Sequence, residues 1–229
     1  MNKNIVYFFR LGSGEEHRFD VDFRRPVRSG DLPSWTLLAT DRCPNCPLPE
    51  ARGAHCPAAA DLVPLIERFS TLASIDKIDV RVVTEQCEAR KRTDSQTALS
   101  ALMGLILATS ACPILGRLRP LAHTHTPFAT PTEMVYRIAS MHLVGSYLRD
   151  EPAGLDGLGA LFADIDTLNH AFARRLKRAV DSDAGINALI MLHARAMLAS
   201  LSIEQEPDNI RAWFRDPLPE QATGRDPGI

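Results

Sequence analysis

The sequence predicts an α+β fold: a small N-terminal sheet with helices on one face, followed by a helical, bundle-like C-terminal half. Three observations predict it. Alternating and β-branched runs fall in the first 84 residues. Apolar residues at helical spacing dominate after residue 93. The two patterns are segregated along most of the chain, as in α+β architectures. With 229 residues, 45% hydrophobic and 24% charged, the chain can bury a full core without covalent staples. Residues 1–205 read as one α+β domain, with a β-rich part holding a cysteine loop at 1–92 and a helical part at 93–205. Residues 206–229 read as a largely disordered tail.

Residues 4–11 and 17–23 are β-rich, and Gly12-Ser13-Gly14 lies between them, which predicts a hairpin. A polar loop follows, and residues 35–39 could add a third short strand. Residues 41–57 form a Cys- and Pro-rich loop. Leu62, Leu65, Ile66 and Phe69 mark a helix over 58–72. Val80, Val82 and Val83 mark a strand over 78–84. Thr93 or Asp94 caps a helix from Ser95 to about Thr109. Thr130-Pro131-Thr132-Glu133 has the features of a helix start: a cap, an early Pro and an acid in the first turn. That helix is expected to end near Leu148. Leu155, Leu158, Phe162, Ile165, Leu168, Phe172 and Leu176 mark a long amphipathic helix. Another starts at Asp183, with Ile186, Leu189, Ile190, Met197 and Leu201 inward. From Glu204, Pro, Gly and acids dominate, and Trp213-Phe214 is expected to dock the start of this tail.

Composition excludes several function classes. Lys+Arg number 26 against 28 Asp+Glu, a net charge of -2, which argues against a dedicated nucleic-acid binder. The basic runs Arg24-Arg25-Val27-Arg28 and Arg174-Arg175-Lys177-Arg178 read as solvated surface. The apolar run at 98–108 is shorter than the roughly 20 residues of a bilayer span, so no integral membrane segment is expected. The apolar run at 5–9 is too short for a signal peptide, and a cytoplasmic location is expected. Five cysteines, an odd number, point away from a disulfide framework and towards metal binding or a reactive thiol.

Cys43-Pro44-Asn45-Cys46 is a C-x-x-C pair, and Cys56 follows after nine residues. A tight turn aims two thiolates at one point, which suits a tetrahedral ion that needs four N or S donors. Cys56 precedes a helix start, whose positive end favours a thiolate. Cys112 is the leading fourth donor, because it lies in a Pro-bounded loop after the buried helix. His55, His123 and His125 are the alternatives. Zinc is the leading ion. An iron–sulfur cluster, a redox dithiol at Cys43/Cys46 and unliganded buried cysteines stay open. Cys87 stands apart as a spectator. A thioredoxin-like motif is disfavoured, since no helix starts at the dithiol.

His123-Thr124-His125 is an H-x-H in a loop. Glu133 and Arg137 read as an intrahelical ion pair. Asn169, Asn187 and His193 either fix helix register or line a pocket with His125 and Arg137. No nucleophile elbow, phosphate loop or zinc-protease helix is present in the sequence.

Cys43-Pro44-Asn45-Cys46-Pro47-Leu48, His55-Cys56-Pro57, Ala108-Thr109-Ser110-Ala111-Cys112-Pro113 and His125-Thr126-Pro127-Phe128-Ala129 together resemble an uncharacterised family of bacterial proteins. Asn187-Ala188-Leu189 fits the same resemblance, which reaches to about Ser202. It implies that the four cysteines form one unit and implies no reaction. At Leu192-His193 it implies an acid where this chain has histidine. The leading functional expectation is a zinc-stabilised module acting through an unknown protein partner or in regulation. A redox or gas sensor, and an enzyme with a polar site around His125, Glu133 and Arg137, are the alternatives.

Overall fold

The computed structural model describes residues 4–152, 154–155, 157–179 and 186–188. The expected α+β architecture is present. Strands β1 (Asn4–Arg10), β2 (Glu16–Asp22), β3 (Lys77–Val83) and β4 (Glu88–Asp94) form one antiparallel sheet in the order β2-β1-β3-β4. The registers place Tyr7 opposite Phe19 on one side and Val82 on the other. Alternation drives Ile5, Tyr7, Phe9, Val21, Ile78, Val80 and Val82 to one buried face. The other face is charged, and Arg81 lies 3.8 Å over the Phe8 ring. The first hairpin closes with Leu11 N–H on the Glu15 carbonyl and Gly14 at φ +90°.

Helix α2 (Ser95–Ala108) packs on β3 and β4, and α1 (Pro57–Arg68) packs beside α2. Asp94 caps α2 by accepting the Thr97 N–H at 2.9 Å. Helix α2 is apolar all round and correspondingly buried. A short 3-10 turn (Leu115–Leu118) leads into α3 (Arg119–His123). Helices α4 (Pro131–Leu148) and α5 (Leu158–Lys177) follow. Thr130 and Glu133 close a full capping box on α4.

Three expectations change. Residues 35–39 make no strand. Pro33 leads into a 3-10 turn (Ser34–Thr36), and Thr36 donates its hydroxyl back to the Pro33 carbonyl at 2.8 Å; one isolated bridge, Leu37 to His55, is all that forms. Strand β4, unread in the sequence, is a charged edge strand in which only Thr93 is buried. The basic run at 24–28 is not all solvated surface. Arg25 pairs with buried Asp61 at 2.7 Å and donates to the Thr109 hydroxyl and the Ile106 carbonyl, both at 2.8 Å. It thereby ties the loop after β2 to α1 and to the end of α2. Asp61→Ala should cost about 3 kcal/mol in urea denaturation, because it strands a mostly enclosed guanidinium. A loss below about 1 kcal/mol would mean the pair behaves as a surface pair.

The helix expected from Asp183 lies mostly outside the described residues. Of it, Ile186, Asn187 and Ala188 are helical. The tail, His193 and Trp213-Phe214 lie outside the described residues. No helix among those described is long and apolar enough to cross a membrane.

Candidate metal centre

The C-x-x-C turn is closed locally by the Cys46 N–H on the Cys43 carbonyl at 3.0 Å. Arg42 staples the loop by donating Nη2 to the carbonyls of Cys46 (3.1 Å) and Leu48 (2.6 Å). Asn45 Nδ2 donates to the Asp164 carbonyl at 2.9 Å, which ties the turn to α5. Cys56 sits at the N-cap of α1 in an extended conformation, with Pro57 next. Its N–H reaches the Thr36 carbonyl at 2.8 Å, so the 3-10 turn fixes its height. Cys112 follows α2. The Gly116 N–H binds its carbonyl at 2.8 Å, and Arg119 donates to the carbonyls of Thr109 and Ser110 just before it.

These elements bring Cys43, Cys46, Cys56 and Cys112 onto one cavity of about 20 Å³. Leu38, Leu48, Ile114, Leu168 and Phe172 close its walls. No described histidine lines it. His55 shares a hydrogen bond with Thr36 at 2.6 Å, His123 stacks edge-on against Phe23, and His125 meets Tyr7. Cys87 is exposed in the β3–β4 turn, away from the cavity. The five cysteines carry no disulfide. Among the described residues, no three His, Cys, Asp or Glu side chains stand at the spacing that grips an ion without adjustment. The four thiols thus share a cavity but stay apart, and Cys43 Sγ faces the Leu168 carbonyl at 3.9 Å.

Electrostatics favour the protonated thiols in this form. Burial pushes Cys43 up to about 11, and the neighbouring thiols of Cys56 and Cys46 push the same way. Burial also raises Cys56 and Cys112, opposed by backbone N–H groups of Ala59 and Ala58 for one and of Leu115 and Ile114 for the other. A raised thiol pKa stabilises the fold below the ordinary value of 9.0, and that benefit is lost as pH rises to about 11. Chelator-treated protein should therefore lose thermal stability between about pH 9 and about 11, and a flat profile there would contradict burial of these thiols.

A fifth residue at the cavity was not legible as a site residue. Arg175, 1% exposed, lines it from α5. Its Nη1 donates to the carbonyls of Trp35 (2.8 Å) and Leu37 (2.6 Å), and its Nη2 reaches Leu38 at 3.4 Å. Its Nε is buried with no partner, and no carboxylate pairs with it among the described residues. The run at 174–178 is therefore split. Arg178 meets Asp41 at 2.6 Å and Arg174 stands 3.8 Å from the same carboxylate, both partly exposed, while Arg175 is in the core. The signal lay in the spacing: Leu161, Leu168 and Arg175 recur every seven residues on the buried stripe of α5.

A family model spans residues 5–215. The chain belongs to that family, described as a domain of unknown function (DUF6901). No curated protein and no solved structure matches this DUF6901 chain.

A second cavity, of about 140 Å³, is lined by α2, α4, α5 and the segment between α2 and α4. His125, Arg137 and Asn169 all reach it, and Glu133 does not. Glu133 turns back to Thr130, accepting from its N–H at 2.7 Å. Arg137 donates Nη2 to the carbonyls of Leu121 and Thr124, both at 2.8 Å. No hydrogen-bonded ion pair joins the two among the described residues. The cap and the carbonyls are nearer partners for each.

Proposed function

We propose that the chain is an intracellular, zinc-stabilised module that works through protein contacts, with Cys43, Cys46, Cys56 and Cys112 as ligands. The observation that carries this reading is the pairing of four thiols with a buried, ion-pair-free arginine around one cavity. A tetrathiolate zinc site carries a net charge of -2, and Arg175 supplies one compensating positive charge at its edge. Without the ion, the same buried guanidinium has only the carbonyls of residues 35–38 and the more distant charge of Asp41 to offset it. Ion binding would release the thiol protons and draw the Cys43–Cys46 turn towards Cys56 and Cys112. That would lock the loop at 41–57 to the end of α2 and to α5.

The size of the cavity favours a single ion over an iron–sulfur cluster. About 20 Å³ holds one water-sized sphere, not several iron and sulfide atoms. The protein-contact part of the reading is supported by α4. Leu143, Val144, Tyr147 and Leu148 form an exposed apolar strip near its C-terminus, with Tyr147 80% exposed.

The test is a competitive zinc titration with a chromophoric chelator on protein purified without oxygen. The wild type should bind one ion per chain. Cys87→Ser should bind as tightly. Cys112→Ser should bind roughly a hundredfold or more weakly. Loss of the ion in Cys87→Ser would refute the ligand set, and unchanged binding in Cys112→Ser would remove Cys112 from it.

A further inference from the structure

The cavity between α2, α4 and α5 has walls of a different chemistry from the cysteine site. Most of its surface is apolar, with Leu105, Leu118, Phe128, Met134, Ile138 and Phe162 contributing. Its volume of about 140 Å³ is close to that of a cavity able to take one benzene ring.

Two polar groups in this lining stand ready for a ligand, a buried hydroxyl without a partner and a guanidinium only partly used by the protein. Ser100, 1% exposed on α2, has a buried hydroxyl with no partner. Buried hydroxyls are rarely left so, because each costs its full desolvation. Arg137 is half-buried. Its Nη2 is committed to the Leu121 and Thr124 carbonyls, while Nε and Nη1 make no hydrogen bond among the described residues. A third group is set by its surroundings. Tyr7 is fully buried, which pushes its phenol up, so it keeps its proton, and its hydroxyl shares a hydrogen bond with His125 Nε2 at 2.6 Å. The turn that carries His125 is held by the same Arg137 that lines the cavity.

We infer that this cavity binds a small carboxylate with an apolar body, of the size of a single aromatic ring or a six-carbon chain. The apolar walls take the body. Arg137 supplies the cation, with N–H groups in the fork that matches a carboxylate. The Ser100 hydroxyl supplies a further donor in the same enclosed space. A neutral apolar molecule would fill the walls and gain nothing from the Arg137 charge. A phosphate or sulfate would satisfy Arg137 and leave the apolar walls wet. The class that meets both demands is the small aromatic or aliphatic carboxylic acid. This inference is independent of the zinc reading.

The experiment is isothermal titration of the full chain with benzoate, phenylacetate and hexanoate, and with benzyl alcohol as the neutral control. At least one carboxylate should bind saturably with a dissociation constant of about 1 mM or tighter. Benzyl alcohol should bind at least about tenfold more weakly. Arg137→Gln should weaken the carboxylate by about tenfold or more and leave benzyl alcohol unchanged. Because Arg137 also braces the 121–124 turn, Ala101→Leu provides a second variant. It fills the cavity from α2, keeps every Arg137 bond, and should abolish carboxylate binding without lowering the melting temperature. Absence of saturable binding by all three acids overturns the inference, as does binding that survives unchanged in both variants. Zinc content measured on the same samples separates the two readings. A zinc-free chain that still binds benzoate keeps this inference and loses the metal centre.

Discussion

Replacing Cys56 by serine is expected to strip zinc from the protein and to lower its melting temperature by roughly 10 °C. The size follows from linkage. An ion present at about a thousandfold above its dissociation constant stabilises the folded state by about 4 kcal/mol, and in a chain of this length each kcal/mol moves the midpoint by about 2–4 °C. Cys56 is the right probe because its position is fixed from both sides. The Thr36 carbonyl holds its N–H, and Pro57 starts α1 directly after it. Serine is nearly isosteric and is favoured at a helix N-cap, where Cys56 makes no side-chain cap bond, so a lower midpoint does not come from loss of the helix start. The discriminating readout is chelator sensitivity. Chelator should lower the wild-type midpoint to that of Cys56→Ser and leave the variant unmoved. A variant as chelator-sensitive as the wild type would remove Cys56 from the ligand set.

Arg175→Met should cost about 4 kcal/mol and weaken zinc binding by about tenfold or more, read by denaturant titration and by chelator competition. Two effects add. The carbonyls of Trp35, Leu37 and Leu38 lose their donor, and two of these residues are nearly inaccessible. Buried carbonyls left unmet are expensive. The site also loses its neighbouring positive charge, which penalises the dianionic zinc complex more than the neutral thiols. Arg175→Lys separates the two. It keeps the charge and loses the fork, so it should recover most of the zinc affinity and little of the stability. Zinc affinity unchanged in Arg175→Met would show that Arg175 serves only the loop carbonyls.

The parts of the fold read from sequence were those where local chemistry and tertiary structure agree. The first hairpin follows from alternation and a glycine turn. The start of α4 follows from Thr130, Pro131 and Glu133, which close a capping box. The C-x-x-C turn, the helix N-cap and the Pro-bounded loop place Cys43, Cys46, Cys56 and Cys112 along one cavity.

Three misreadings, of β4, Arg25 and Arg175, share one cause: long polar side chains whose charge suggests water. Strand β4 reads as loop because its outward residues are Glu88, Arg90 and Arg92, yet an edge strand needs such residues. Arg25 and Arg175 sit in basic runs that read as solvated surface. Both carry their guanidinium groups inward, to Asp61 in one case and to backbone carbonyls in the other. A guanidinium has five donors and an apolar stem, so one arginine in a run of four can satisfy backbone carbonyls that no local partner reaches. Residues 35–39 fail as a strand for the converse reason. Leu37 and Leu38 look like strand residues, but their carbonyls are committed to Arg175 and not to a neighbouring strand.

The central claim is that these four cysteines hold one ion. Elemental analysis, with an absorption spectrum, on untagged protein purified without oxygen tests it most directly. The account predicts about one zinc per chain and no visible absorbance. Protein that carries no metal and takes up none from a zinc buffer would contradict it, and so would iron with a broad visible band.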